Sequence, residues 1–265
     1  EPDKFIKIIQ SVISNAKKGT VEPKKPICKE EKEIFKLYSK RLVNKLENKM
    51  LDLEREITDR KLAEEELKQS YEKLRKAMEE TIHVIALTAE IRDPYTAGHQ
   101  RRVTQLACAI AKEMDFTEEK IEGIRMASRI HDLGKINVPA EILSKPGLLT
   151  EDEFNLIKNH SQVGYNILKD IDFPWPIAQM VLQHHERVDG SGYPQGLSVE
   201  EILIEAKILG VADVVEAMSS HRPYRPALGI DKALEEIKKN KGIFYYPKVA
   251  DVCLKLFSEK GFKFE

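Results

Sequence analysis

Five of the chain's seven histidines, with two aspartates, fall in one series between His99 and Asp213, each expected at or near the end of a helix. His99, the adjacent pair His131-Asp132, His160, the adjacent pair His184-His185 and Asp213 offer the mixture of imidazole and carboxylate donors that mid-series divalent metals accept. A single histidine in an amphipathic helix is ordinarily a packed or solvent-facing residue, but the adjacent pairs resist that explanation. Neighbours on a helix point about 100° apart, so one ion seldom captures both. Two ions a few ångströms apart take one side chain of each pair or share a carboxylate such as Asp132. Such a pair of ions brings the pKa of a water between them down until it is hydroxide near neutral pH and holds a phosphoryl oxygen for in-line attack, which is the machinery of phosphodiester hydrolysis. Lys135 follows His131 by about a turn, where its ammonium would reach a nonbridging phosphate oxygen that gains charge during attack. Its ordinary alternative is a helix C-terminal lysine meeting the last carbonyls.

The elements that must position these residues read as helical throughout from Thr81 onward. Start signals stand at Thr117, at Thr150 with Glu153 and at Ser198 with Glu201, the last two being capping boxes. No alternating strand pattern appears, and Pro139, Pro146, Pro174, Pro176, Pro194, Pro223 and Pro247 punctuate the helices, which predicts an all-α compact bundle whose loops carry chemistry. Trp175, between two prolines, is expected to anchor a loop against the core, and Cys108 and Cys253 to be small buried apolar groups. His83 and His221 have plain structural roles, the first packing where the upstream helix enters the domain and the second shaping its loop.

Upstream, residues 1–20 predict a short amphipathic helix with Phe5, Ile8, Ile9, Val12 and Ile13 on one stripe and Gly19 as its stop. It resembles the last helix of a response-regulator receiver domain. Residues 21–32, with Glu22-Pro23-Lys24-Lys25-Pro26, read as a linker. Residues 33–80 predict a long charged helix in which Val43, Leu46, Met50, Leu53, Ile57, Leu67, Tyr71, Leu74 and Met78 follow a heptad seam, interrupted near Thr58-Asp59 by Arg60 and Glu64. A parallel homodimeric coiled coil accounts for that seam better than a helix folded on its own domain, because charges flank it on both sides. Residues 81–265 form the remaining domain.

Composition narrows the partners. A net charge of −1 over 265 residues gives no electrostatic footprint for a nucleic-acid duplex or an anionic membrane. No apolar run reaches the roughly 18 residues needed to span a bilayer. Cys28, Cys108 and Cys253 lie far apart, so neither a disulfide framework nor a thiolate zinc site is indicated, and a reducing cytoplasm is expected. The first residue, Glu1, is not an initiator methionine, so sequence is expected upstream.

His131-Asp132 resembles the signature of the HD metal-dependent phosphohydrolases, and Gly192-Tyr193-Pro194 the mark of their HD-GYP subgroup. The resemblance runs over nearly all of Thr81 to Phe257, taking in Asp93-Pro94-Tyr95-Thr96-Ala97-Gly98-His99, the run from His184 to Pro194 and Arg222-Pro223-Tyr224-Arg225. It implies an HD-type helical fold and a bacterial phosphodiesterase that opens cyclic di-GMP to linear pGpG and on to GMP. It implies metal ligands at His99, His131, Asp132, His160, His184, His185 and Asp213, and iron or manganese as the ions, in keeping with the lack of thiolates. Lys135, Tyr193, Arg222 and Arg225 become candidate substrate contacts, which suits a doubly anionic ligand with two flat guanines. Some members carry a further acid one turn before the first histidine and bind a third ion; Tyr95 stands there in this chain, so two ions are expected. The competing readings are a cyclic-dinucleotide sensor without turnover and a hydrolase of another cyclic dinucleotide such as cyclic GMP-AMP.

Overall fold

The computed structural model describes residues 10, 11, 13–15, 17, 18, 29–92, 98–221 and 227–264. The expected stripe residues Phe5, Ile8, Ile9 and Val12, the stop at Gly19 and the linker prolines lie outside them. The chain divides into two compact units, one ending at Lys76 and one beginning at Ala77.

Helix α1 (Lys29–Arg92) passes without a break through Thr58 and Asp59. Within the first unit Ile13 is buried, Lys17 pairs with Glu47, and Val43, Leu46, Met50 and Ile57 are half-buried. Leu67, Tyr71 and Leu74 of the same seam are 72%, 67% and 70% exposed. The polar interruption satisfies itself along the helix, Arg60 Nε donating to Glu64 Oε1 at 3.1 Å. The helix runs past Met78 because Ile82 and Ala86, four residues apart, share one face and enter the core of the second unit. His83, beside them, points to solvent instead of packing there.

In the second unit, α2 (His99–Glu113) buries Val103, Leu106, Ala107, Ile110 and Ala111 against α3 (Glu118–Ile130) and α8 (Ile204–Ser219). Full burial of Leu106 and Ile110 contributes about 1.5–3 kcal/mol each. A 3-10 turn (Leu133–Asn137), α4 (Ala140–Leu143), α5 (Glu151–Lys158), α6 (His160–Leu168) and α7 (Ile177–Gln183) follow α3, and α9 (Ile230–Lys239) and α10 (Pro247–Ser258) follow α8. Helix α8 is central, burying Ala206, Ile208, Leu209, Val211, Ala212 and Val215 on all sides, together with two acids, Asp213 and Glu216. Among the described residues no strand forms, and two isolated bridges, Asp189 with Ser198 and Lys241 with Tyr245, pin loops.

Two of the three expected helix starts stand as read. Thr117 caps α3, and Thr150 with Glu153 forms a full capping box on α5. Ser198 and Glu201 also bond, at 2.7 and 2.9 Å, but close a turn, and α8 begins at Ile204. The side chain of Gln183 accepts the Leu203 N–H at 2.8 Å and serves the start of that helix from a distant segment. Trp175 packs on the core, with its ring against Gly123, as expected of a loop anchor. Cys253 is fully buried and Cys108 partly so, and burial pushes their thiols up to about 12 and about 11. His221 is exposed and accepts the Ala227 N–H at 3.3 Å, holding its loop.

Candidate metal centre

Three of the histidines stand at a helix end, two as C-caps and His160 as the first residue of α6. His131 ends α3, His160 follows α5, and His184 ends α7. Each donates its Nδ1–H to the carbonyl three residues back: Ser128 at 2.7 Å, Ile157 at 2.7 Å and Val181 at 2.6 Å. A carbonyl accepts and cannot donate, so these bonds fix one tautomer and leave each Nε2 lone pair facing the centre. His99, the first residue of α2, does the same through a carboxylate, since its Nδ1 bonds Glu216 of α8. Asp132 heads the 3-10 turn, whereas Asp213 sits in the middle of α8 and not at a helix end as the sequence reading expected.

The inward-facing ring nitrogens converge. His99 Nε2 lies 3.3 Å from Asp213 Oδ1 and 3.7 Å from Asp132 Oδ2, and His131 Nε2 lies 3.8 and 3.7 Å from the same two oxygens. On the other side His160 Nε2 is 3.5 Å from Asp132 Oδ1 and 3.3 Å from His184 Nε2, and His185 Nδ1 is 4.0 Å from Asp213 Oδ2. Asp132 thus faces His99 and His131 with one oxygen and His160 with the other, as a bridging carboxylate must. Lys135 lies in the 3-10 turn and donates to Asp132 Oδ2 at 2.8 Å.

Protonation in this cluster suits ligation. Burial, reinforced by neighbouring histidines, holds His184 down to about 3 and His185 well below the usual imidazole range. Burial lowers His160 too, with Asp132 opposing. Burial works against ionisation of Asp132 and Asp213, but Lys135 beside the first and the imidazoles beside both hold them well below the usual carboxylate range. Neutral imidazoles and ionised carboxylates are the forms that bind a metal.

Whether these residues fit a pair of ions is tested by what they lack. His131 Nε2 is fully buried and no protein group hydrogen-bonds it, and in a centre lined by imidazoles and carboxylates such an orphan has a use as a ligand atom. Donor atoms lie within 4.8 Å of one another in three sets: His99, His131 and Asp213; His131, Asp132 and His184; and His160, His184 and His185. The first and third sets share no residue, and Asp132, in the second set, lies between them. The donors are nitrogen and oxygen, a set that accepts manganese, iron or zinc.

Glu216 is the functional residue the sequence reading missed. It is fully buried, bonds His99, and accepts from Arg102 Nε at 2.7 Å and Ser220 Oγ at 2.6 Å. Burial resists its charge, but these donors hold its pKa down to about 2. An acid one turn after Asp213 inside the apolar run from Ile208 to Met218 was the available signal.

A cavity of about 380 Å³ opens beside His185 and Asp213, walled by Phe154, Tyr193, Val214, Met218 and Phe244. The Tyr193 ring lies 4.7 Å from the His185 ring at 31°, so this residue stands beside the candidate centre. Gly192 lets it: a Cβ there would stand 2.3 Å from Arg187 N. Glu186, buried, accepts the Gln195 N–H at 2.7 Å and the Leu197 N–H at 3.1 Å and ties the same loop down. The other candidate contacts, Arg222 and Arg225, lie outside the described residues, as does Tyr95.

A bundle of this kind, with histidines at helix ends gathered around a His-Asp pair, defines a class: the HD domain family model matches residues 83–249, and the chain belongs to that family. Among curated proteins it is 37% identical over 85% of its length to a cyclic di-GMP phosphodiesterase of Thermotoga maritima, covering 59% of that protein. It is 39% identical over 72% of its length to the cyclic di-GMP phosphodiesterase response regulator RpfG of Xanthomonas campestris, covering 51%. The chain therefore spans little more than half the length of these relatives. An HDG"Y"P protein from Bdellovibrio bacteriovorus shares the fold, with a TM-score of 0.51 at 17% identity over 60% of this chain and 51% of that one. The HD-GYP resemblance read from Gly192-Tyr193-Pro194 agrees with these relatives.

Proposed function

We propose that this chain is a binuclear-metal phosphodiesterase that opens cyclic di-GMP to linear pGpG and continues to GMP. The observation that carries the reading is the buried centre itself, in which His131 Nε2 is orphaned and Asp132 faces histidines on both sides. The names of the relatives at 37% and 39% identity support cyclic di-GMP as substrate.

The first site would be held by His99, His131 and Asp213, the second by His160, His184 and His185, with Asp132 shared. Two divalent ions there supply a water of lowered pKa and neutralise a phosphoryl oxygen. Everything else falls to the chain. Asp132 and Asp213 bring the negative charge, while the neutral imidazoles bring donors without adding positive charge that would repel the ions. Lys135 turns its Nζ–H from Asp132 to a nonbridging phosphate oxygen as charge grows there. Tyr193 gives an aromatic face beside His185, and Arg222 and Arg225 hold the second phosphate by their forks. Iron or manganese suits this thiolate-free set.

Residues 81–265 act as the hydrolase, and 33–80 as a coiled-coil segment that pairs two copies and regulates them, with 1–20 as the end of a receiver-like domain and 21–32 as its linker. The exposed Leu67, Tyr71 and Leu74 support the pairing. We place the reaction in the cytoplasm. Cys108 and Cys253 are free thiols, and among the described residues no helix is long and apolar enough to cross a membrane.

The test is turnover. Protein loaded anaerobically with iron or manganese is incubated with cyclic di-GMP and, separately, cyclic GMP-AMP, and the products are separated by chromatography. Linear pGpG from the first is expected, with Asp132→Ala losing both metal and turnover. Tight binding with no product identifies a sensor, and faster cleavage of cyclic GMP-AMP moves the substrate assignment.

A further inference from the structure

The cavity beside His185 is built unlike the centre it adjoins. Its walls are mostly flat and apolar, Phe154, Tyr193, Met218 and Phe244 among them, and its volume falls in the range of small-ligand pockets. Among the described residues that line it, one is cationic, Arg187. Backbone bonds fix the base of this residue, Gly190 N donating to Arg187 O at 2.9 Å and Val188 N to Phe244 O at 3.3 Å. Its guanidinium lies 5.3 Å from the centroid of the Tyr245 ring. Among the described residues no hydrogen bond or ion pair engages that guanidinium, so a residue lining this cavity carries a planar fork of five N–H donors, steadied on an aromatic face, with its hydrogen bonds unmade.

A ligand is needed that is flat, apolar on its faces and rich in acceptors along one edge. Guanine has O6 and N7 side by side, both acceptors, and arginine bonds them as a pair; adenine puts an amino donor where guanine has O6. A phosphate would satisfy the fork but gains nothing from the aromatic walls, and Lys135 already serves the phosphate at the metal centre. Building on the phosphodiesterase reading, we propose that Arg187 reads the O6 and N7 edge of a substrate guanine in this cavity and sets guanine apart from adenine.

Calorimetry with mononucleotides tests this without turnover. GMP and AMP carry the same phosphate, so their difference reports the base. The metal-loaded protein should bind GMP about tenfold or more tighter than AMP. Arg187→Met should bring the two to equal affinity at unchanged metal content, and Arg187→Lys, which keeps charge but loses the fork, should do nearly the same. The unaltered protein should bind 7-deaza-GMP, which lacks the N7 acceptor, as weakly as AMP, a result that needs no variant to fold. The proposal is overturned by equal binding of GMP and AMP, by no binding of either, by undiminished binding of 7-deaza-GMP, or by an Arg187→Met protein that melts lower yet still prefers GMP. Failure of the phosphodiesterase reading shows separately, as intact cyclic di-GMP in the turnover assay.

Discussion

Glu216 touches no proposed ion, yet it decides where His99 points. Replacing it by Gln keeps the shape, loses the charge, and leaves the Arg102 guanidinium beside a neutral amide. Changes of this kind cost about 10- to 100-fold in metal affinity. Glu216→Gln should weaken metal retention by that factor in a chelator competition, and unchanged retention would remove Glu216 from the site. Gly134 presents a steric limit instead. A Cβ there would lie 1.8 Å from the His160 carbonyl oxygen, backbone against backbone, so the 3-10 turn could not stay against α6. Gly134→Ala should destabilise by about 3 kcal/mol or more in urea unfolding. The proposed metal ligands were legible in the sequence because donor types and adjacent pairs are local facts. Glu216 was not, because its role arises only when α8 lies across α2, 117 residues away in the chain.

Helices repeat the same lesson at larger size. Thr150 with Glu153 and Ser198 with Glu201 carry one sequence sign, yet the first opens a helix and the second closes a turn. A capping box satisfies local N–H groups; where the helix then runs depends on packing, here on Ile202 entering the core and Gln183 capping from afar. The seam of α1 was legible by period, but the continuation of the helix to Arg92 depends on the burial of Ile82 and Ala86. Since Leu67 and Leu74 are largely exposed, charge at either position should leave the isolated chain's folding unchanged. In the proposed coiled coil the same change removes a core contact from both helices. Leu74→Glu should therefore weaken dimerisation at least about tenfold by sedimentation equilibrium, with the melting temperature of the dilute protein unaffected.

Taken whole, the second unit encloses a polar cluster within an apolar bundle, and its stability must follow metal and acid. Each ion at about a hundred times its dissociation constant contributes about 2.7 kcal/mol. Chelation should then lower the melting temperature of this unit by about 5 to 10 °C for each ion removed, reversibly on adding manganese. The acid response of the chelated protein has a definite sign. An unfolded histidine takes up its proton near pH 6.5, whereas His184 in the fold does so only at about 3, and His160 and His185 shift the same way. Stability is therefore complete above about pH 6.5 and falls as the pH drops below it, by on the order of 1 kcal/mol per pH unit from His184 alone down to about pH 3, with His160 and His185 adding a loss of the same sign. Asp132, Asp213 and Glu216, depressed as carboxylates, add a further loss as the pH falls through the range where the unfolded carboxylates protonate. Urea midpoints from pH 7.5 to 5 should decline steadily, and a flat profile would contradict the buried neutral imidazoles.

The carbonyls of Ser128, Ile157 and Val181 take one proton apiece from the rings that follow them. Ring orientation is thereby set by backbone carbonyls and needs no ion to impose it. How fast a cell's stock of this protein wakes would then follow its supply of ions rather than a slow rearrangement of the chain.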